Sequence, residues 1–446
     1  MEFAHVNELL AQKKFHQLKQ YLANSQLADI AELIDQLELK TALLVFRLLP
    51  KDEAAAVFAY ISPLRQTELS QLVNEDELQQ IINDLYFDDK LDFLEEMPAT
   101  VVKRIIANTS EKERTLINQF LHYPEDSAGS LMTIEYVDLK KEMSVQAALE
   151  RIRQTAPDKE TIYVCYITDA SRHLEGTLSL RDLVVATPEQ KISDIMHTEI
   201  IYAKTNDDKE YMADLVKKYD LLAIPITDNE ERLIGIVTVD DVLDVIEDEN
   251  TEDFHRMAAM QPTNEEYLDS GVLKMARQRI TWLLFLMISA TFTGYIIRTY
   301  QATLETVVAL TVFIPMLMDT GGNAGSQSST LIIRSLALNE VSIHDLVKIL
   351  WKEFRVSIVV GFTLAFVNFF RILLIERYSV AVAATVSLTL VFTVITAKIV
   401  GASLPIIAKQ LKIDPAIMAS PIITTVVDTI SLIIYFGLAT RIMMLG

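Results

Sequence analysis

Five apolar segments crowd the C-terminal part of this chain, at about 280–297, 304–318 with its continuation, 356–375, 380–404 and 417–443. Each, alone or continued, is long enough to cross a bilayer as a helix. Backbone amides in hydrocarbon must be satisfied internally, so this part is expected to fold as a helical bundle. The rest of the chain differs in kind. Residues 271–446 hold 14 basic and 8 acidic side chains, whereas residues 1–270 hold 26 and 53, so a net of +6 follows a net of −27. Such an acidic front argues against nucleic acid and anionic lipid surfaces as partners, and for cations.

Basic flanks give the segments a direction. Lys274, Arg277, Arg279, Arg334, Lys348, Lys352, Arg355, Lys409 and Lys412 fall on one side, against Arg298, Arg371, Arg377 and Arg441 on the other. The positive-inside rule then puts the acidic front in the cytoplasm and the C-terminus outside. The first twelve residues show no basic stretch followed by an apolar core, so no cleaved signal is expected. One cysteine, Cys165, rules out an intrachain disulfide and suits a reducing compartment. The seven histidines have no metal-binding spacing, so any metal ligands are oxygens, which favours magnesium or calcium. With no nucleophile–base pair, Walker loop or catalytic metal motif, the chain does not read as an enzyme.

Within the front, residues 8–123 read as short amphipathic helices separated by polar turns and Pro50 and Pro98, which suggests a small helical superhelix. From 131 to 250 a unit occurs twice: Gly176-Thr-Leu-Ser-Leu-Arg-Asp-Leu183 returns as Gly235-Ile-Val-Thr-Val-Asp-Asp-Val242, and Met132-Thr133 returns as Met196-His197-Thr198. A sixty-residue unit repeated once predicts two pseudosymmetric α/β modules, and it resembles a tandem CBS domain pair. That likeness makes Ser179, Arg181, Asp182, Thr238 and Asp241 candidates for nucleotide binding. The plain structural reading is that each hydroxyl ends a strand and each aspartate caps the next helix.

Two further patterns carry chemistry. Asp241, Asp244, Asp248 and Glu252 recur every three or four residues with no basic residue before Arg256, a like-charged stripe that repels itself unless cations bridge it. Asp428 stands near the middle of the last apolar segment, with Ser420, Thr424 and Thr425 close on the same side. Intramembrane acids usually face a pore or a partner, so Asp428 reads either as a carboxylate that meets a cation or as one that is protonated or paired with Lys398. The stretch 315–327, with Pro315, Gly321, Gly322, Gly325, Asn323 and Gln327, permits close helix packing or an unwound turn lining a path.

These two membrane motifs, Pro-x5-Gly-Gly-Asn-x-Gly-x-Gln and Pro-x-x-Thr-Thr-x-x-Asp, together with the order of segments, resemble the MgtE family of magnesium channels. The resemblance implies a multidomain membrane protein: a helical superhelical N-terminal domain (1–128), CBS modules at 129–193 and 194–248, an acidic linker or plug helix (249–276) and an all-helical transmembrane domain of five spans (277–446). It implies a homodimer in the cell membrane whose pore carries magnesium down its gradient past Asp428, with Asn323, Gln327, Thr424 and Thr425 lining it. It also implies closure by cytosolic magnesium at Asp88, Asp92, Asp208, Glu210, Asp220, Asp241, Asp244, Glu249, Glu252 and Asp253, with Asp414 a weaker candidate, and ATP as a regulator at the modules. The competing reading is a proton- or ion-coupled secondary transporter of divalent cations.

Overall fold

A run of short helices fills the first part of the chain because turn signals interrupt its amphipathic pattern every ten residues or so. The computed structural model describes residues 3–263, 267–268, 270–418 and 420–443. Ten helices come first among them: α1 (Phe3–Ala11), α2 (Phe15–Leu22), α3 (Leu27–Gln36), α4 (Leu39–Phe46), α5 (Lys51–Tyr60), α6 (Pro63–Leu72), α7 (Glu75–Asp84), α8 (Phe87–Glu96), α9 (Ala99–Asn108) and α10 (Glu111–Phe120). Pro50 and Pro98 stand directly before α5 and α9, and Asn74 closes a capping box with Glu77 at the start of α7. Helices this short are marginal alone. They are held by packing of every second one, α3 on α5 on α7 and α4 on α6 on α8, which winds the superhelix. Phe46, Phe58 and Phe93 meet edge to face at its centre, 6.0 and 5.2 Å apart.

Two small α/β modules follow. The first has β1 (Val137–Leu139), α11 (Val145–Thr155), β2 (Val164–Thr168), β3 (Leu174–Ser179), α12 (Leu180–Val185) and α13 (Ile192–Ile195). The second has β4 (Ala203–Lys204), α14 (Lys209–Tyr219), β5 (Ala223–Thr227) and β6 (Leu233–Thr238), and α15 (Val239–Met257) leaves it. In each sheet the first strand pairs parallel to the second and the second antiparallel to the third. Even the irregularity repeats, at Ile167/Thr168 and at Ile226/Thr227. The modules are tied crosswise: Thr133 bridges Ile236 of β6, and His197 bridges Thr177 of β3. Gly176 and Gly235 permit this, since a Cβ on Gly235 would lie 2.6 Å from the Thr133 carbonyl oxygen. One continuous core joins the helices α1–α10 to the second module, while the first module keeps a separate core around Val137, Ile167 and Leu178.

The structure divides into units Met1–Ile246 and Glu247–Gly446, each taken here by itself. The acidic linker is not one helix over 249–276. Its helix starts earlier and ends at Met257, Ala259 takes a left-handed φ of 54°, Pro262 follows, and α16 (Val272–Thr299) begins anew. Next come α17 (Gln301–Thr306), α18 (Ala309–Ala337), α19 (Leu346–Arg371) with a π-helical end (Ile372–Glu376), α20 (Val380–Gln410) and α21 (Ser420–Ile442). Among the described residues four stretches are long and apolar enough to cross a membrane: Val272–Thr299, Ile343–Glu376, Val380–Gln410 and Pro415–Ile442. The 315–327 stretch is not unwound, because α18 runs through it without a break. Its glycines serve close packing instead.

Helix α20 is the centre of this unit, in contact with α18, α19 and α21. A Cβ on Gly401 would lie 2.2 Å from the Gly325 carbonyl oxygen, and one on Gly325 would lie 2.6 Å from Ile423 Cγ2. Backbone thus touches backbone where α18 crosses α20. Gly401→Ala is expected to push the helices apart and lower stability by about 1–3 kcal/mol, the usual cost of overpacking. Thermal unfolding in detergent would check this, and an unchanged midpoint would contradict the packing argument.

Candidate functional site

Two sets of carboxylates stand out, one in each unit. In the front unit α8 places Asp88 and Asp92 one turn apart, and the shared core sets them beside the start of α15, where Asp240 and Asp241 lie. Asp88 is buried, and its Oδ1 accepts from the Asp89 amide at 3.0 Å. Glu135, just after the cross-module bridge, accepts from the Phe87 amide at 3.2 Å and so anchors the start of α8. Burial first, and then the Asp89 charge, push the Asp88 carboxyl up to about 7. Burial followed by Asp88 raises Asp241 to about 7, against the pull of its Thr238 hydrogen bonds. Asp89 goes to about 6 through burial and Asp241. Asp92, exposed at the rim but hemmed in by protein, goes to about 8 through desolvation and then Asp88. Glu160 joins from the loop after α11, raised to about 8 by burial and Asp88.

The family resemblance brings Asp88, Asp92 and Asp241 forward as candidates, and the fold does gather these three. It adds Asp89, next to Asp88, and also Glu135 and Glu160, which their distance along the chain hides in the sequence. Among the described residues no three His, Cys, Asp or Glu side chains stand close enough to ligate one ion together. Magnesium is nonetheless held through one or two carboxylates with its waters kept, and the charge density here fits a hydrated dication. The other candidates are not gathered with these. Asp208 caps α14 by accepting from the Glu210 amide at 2.8 Å, whereas Asp220 ends the same helix in a left-handed conformation about 18 Å away by helical rise. Asp244, Glu249, Glu252 and Asp253 lie along α15. Arg256 bonds both Glu252 and Asp414, so a guanidinium already bridges two of the proposed sensor acids.

At the nucleotide candidates the capping geometry is formed. Ser179 accepts from the Asp182 amide at 3.1 Å and its hydroxyl donates to Asp182 Oδ2 at 2.5 Å. Thr238 donates to Asp241 Oδ2 at 2.9 Å. Arg181 is exposed beside the first of these pairs.

In the second unit Asp428 is 9% exposed, and among the described residues its Oδ1 has no hydrogen-bond partner. Lys398 does not pair with it. The lysine is buried, 3.2 Å from Ser328 Oγ and 3.9 Å from Glu353 Oε2, and Ser328 donates to that carboxylate at 2.6 Å. Ser431, one turn beyond Asp428, and Thr393 on α20 are fully buried with hydroxyls that also lack partners among the described residues. Each such group costs about 1–3 kcal/mol, so polar atoms are concentrated here against the apolar pattern. Thr425 takes the ordinary route and donates to the Pro421 carbonyl at 3.1 Å, and Thr424 packs on Gly322.

The outward face of α18 differs from its neighbours. Asp319, Asn323, Gln327 and Thr330 recur every three or four residues and are all exposed, while Gly321, Gly322 and Gly325 are buried on the other side. A polar stripe on an apolar bundle needs water or another polar surface against it. Asn323 and Gln327 were expected here, while Asp319 extends the stripe by one turn.

Known proteins resemble the chain throughout. Family models match it at 314–438 as a divalent cation transporter, at 25–126 as the MgtE intracellular N domain and at 192–248 as a CBS domain. The magnesium transporter MgtE of Thermus thermophilus is 36% identical, covering 97% of each chain. That of Bacillus subtilis is 32% identical, over 94% of this chain and 95% of its own. Among solved structures, the cytosolic domain of the Mg2+ channel MgtE in complex with ATP matches 55% of this chain and 100% of its own, with 37% identity and a TM-score of 0.52. The soluble part of a magnesium transporter matches 55% of this chain and 97% of its own, at 29% identity and a TM-score of 0.52.

The front cluster sets a pH dependence. Its carboxyls have folded values of about 6 to 8 against an ordinary 3.8 to 4.5, so the folded state binds more protons than the unfolded one. Stability is therefore full below about 4 and falls as pH rises through the folded values. In chelator, the unfolding midpoint of the front unit within the full chain should drop between pH 5 and 9. Millimolar magnesium should restore it at pH 8, and Asp88→Asn should flatten the curve. A midpoint indifferent to pH would contradict this account.

Proposed function

Because the chain belongs to the MgtE family of magnesium transporters, a multi-pass membrane family, we propose that it is a magnesium-selective channel, with Asp428 the carboxylate past which the cation moves. One observation carries this reading: a buried carboxylate oxygen without a donor among the described residues stands on α21, which packs against α18, the helix whose outward face carries the exposed polar stripe. Amide and hydroxyl groups on that stripe can hydrogen-bond the water shell that magnesium gives up reluctantly, and one acid per chain attracts a dication without trapping it. In this reading α16, α18, α19, α20 and α21 are the five spans, the front unit is cytoplasmic, and a second copy of the chain completes the path across the stripe.

Regulation follows from the front cluster. Compact packing brings Asp88, Asp92 and Asp241 together against their own repulsion, so magnesium binds the compact arrangement better and shifts the population toward it. A compact, magnesium-loaded cytoplasmic part is the closed state, and the acids of α15 belong to the same response. ATP is proposed as a second regulator at the module pair. Support comes from the ATP complex of the 37%-identical cytosolic domain and from Ser179 and Thr238 ending the equivalent strands, with Asp182 and Asp241 in the first turns of the helices that follow. ATP would have to break the capping bonds of these residues.

Magnesium uptake by the full chain in liposomes tests the pathway. Flux should follow the gradient and the membrane potential, and Asp428→Asn should cut it at least tenfold while the protein stays assembled. Uphill movement driven by a proton gradient would instead make the chain a coupled transporter. Neutralising Asp241, Asp244, Glu249, Glu252 and Asp253 together should flatten closure by internal magnesium while permeation persists. Protease cutting near Asn250, followed across a magnesium titration, reads the compact state directly. Equal cutting from micromolar to roughly ten-millimolar magnesium, the range over which weak acidic sites fill, would contradict the gating scheme. Asp182→Ala should weaken ATP binding roughly tenfold, and unchanged binding would return that residue to capping alone.

A further inference from the structure

The depth of Asp319 in the second unit can be read from glycine contacts. A Cβ on Gly321 would lie 2.8 Å from Val427 Cγ1 and 3.3 Å from Ser431 Oγ, and one on Gly325 would lie 2.6 Å from Ile423 Cγ2. Residue numbers rise along α18 as they fall along α21, so the two helices run antiparallel. Asp319, two residues before Gly321, therefore comes level with the turn that holds Asp428 and Ser431. It stands within about one helical turn, roughly 5 Å, of the depth of Asp428. Helices α18 and α21 pack directly on one another at this level.

Among the described residues neither acid has a basic partner. Among the described residues Asp319 makes no hydrogen bond or ion pair, and it is exposed on the stripe one turn before Asn323. Lys398 is engaged by Glu353 and Ser328. Arg371, which reaches Met316 one turn from Asp319, is ion-paired with Glu376 at 2.8 Å and bonded to Asn368. A 91%-buried Asp428 with an unpartnered oxygen thus shares its level with a second uncompensated carboxylate. Like charges so placed call for a mobile counter-charge between them.

We propose that Asp319 is a second ion-path carboxylate, which shares with Asp428 a site for a hydrated divalent cation. The inference rests on the pathway reading above. Asp319 takes the ion through its water shell from the open side of the stripe, and Asp428 receives it from the buried side. Asp319 then sets how readily a dication is preferred over a monovalent one, because the attraction of two carboxylates scales with the charge of the ion.

Two measurements on the full chain in liposomes test this. Asp319→Asn should raise the external magnesium needed for half-maximal uptake about three- to tenfold, whereas Asp319→Glu, which keeps the charge, should stay near wild type and controls for folding. The chain's one cysteine, Cys165, is fully buried, so Asp319→Cys can be labelled against a quiet background. A small hydrophilic thiol reagent added outside should label it, and magnesium should slow that labelling. An unchanged half-saturation in Asp319→Asn, no labelling, or labelling indifferent to magnesium would each overturn the proposal. If the wild-type chain carries no magnesium, or Asp428→Asn carries as much as wild type, the pathway reading falls by itself. Magnesium-dependent labelling then still decides whether Asp319 lies at a cation site.

Discussion

Contact between the backbones of α18 and α20, at Gly325 and Gly401, is what the membrane unit depends on. With no side chain at either position, α18 comes near enough for its inner face to pack on Thr393, Thr424, Ile423 and Val427. Its outer face is then free to be polar. Association in lipid has little hydrophobic drive, so close van der Waals contact must supply the cohesion. The same helix therefore serves as structural wall and polar lining, and its low hydropathy is the consequence. The buried Lys398–Ser328–Glu353 link adds a polar tie among α18, α19 and α20, at a depth where breaking it by removing one partner costs several kcal/mol.

The front unit is governed by an opposite force. Its shared core draws α8 against the start of α15 and thereby concentrates acids that repel. Hydrophobic packing and electrostatic repulsion are set against each other, and solution conditions decide the balance. Protons, metal ions or a change of spacing each relieve the same stress. A sensor needs such a near-balance, because an arrangement held firmly by its core alone would not answer to an ion.

Local signals in the sequence led to much of this. The doubled Gly–x–x–hydroxyl–x–x–Asp pattern predicted two like modules, and the structure repeats even their strand irregularities. Asp428 announced itself by charge among apolar neighbours. Residues that depend on tertiary placement were harder to find. Glu135 and Glu160 look like ordinary surface acids until the core of the helices and the second module places them beside Asp88. Asp319 needed the antiparallel register of α18 and α21 before its depth could be known. Three glycines and a proline leave close packing or an unwound turn open over 315–327, and packing on α20 and α21 decides for a regular α18. The resemblance implies one linker helix over 249–276, whereas the chain breaks between Met257 and Val272, where Ala259 turns left-handed and Pro262 follows.

The crosswise bridges between the modules have a consequence for how the chain is made. Thr133 completes its pairing only on Ile236, roughly a hundred residues later, a long loop to close before the contact is gained. As the polypeptide leaves the ribosome, the Met132–Thr133 segment waits without its pairing until β6 of the second module has emerged. The segment that leads into the membrane begins directly after that closing strand. Insertion and maturation of the front unit therefore overlap in time, and a pause in synthesis near residue 240 would favour ordered assembly.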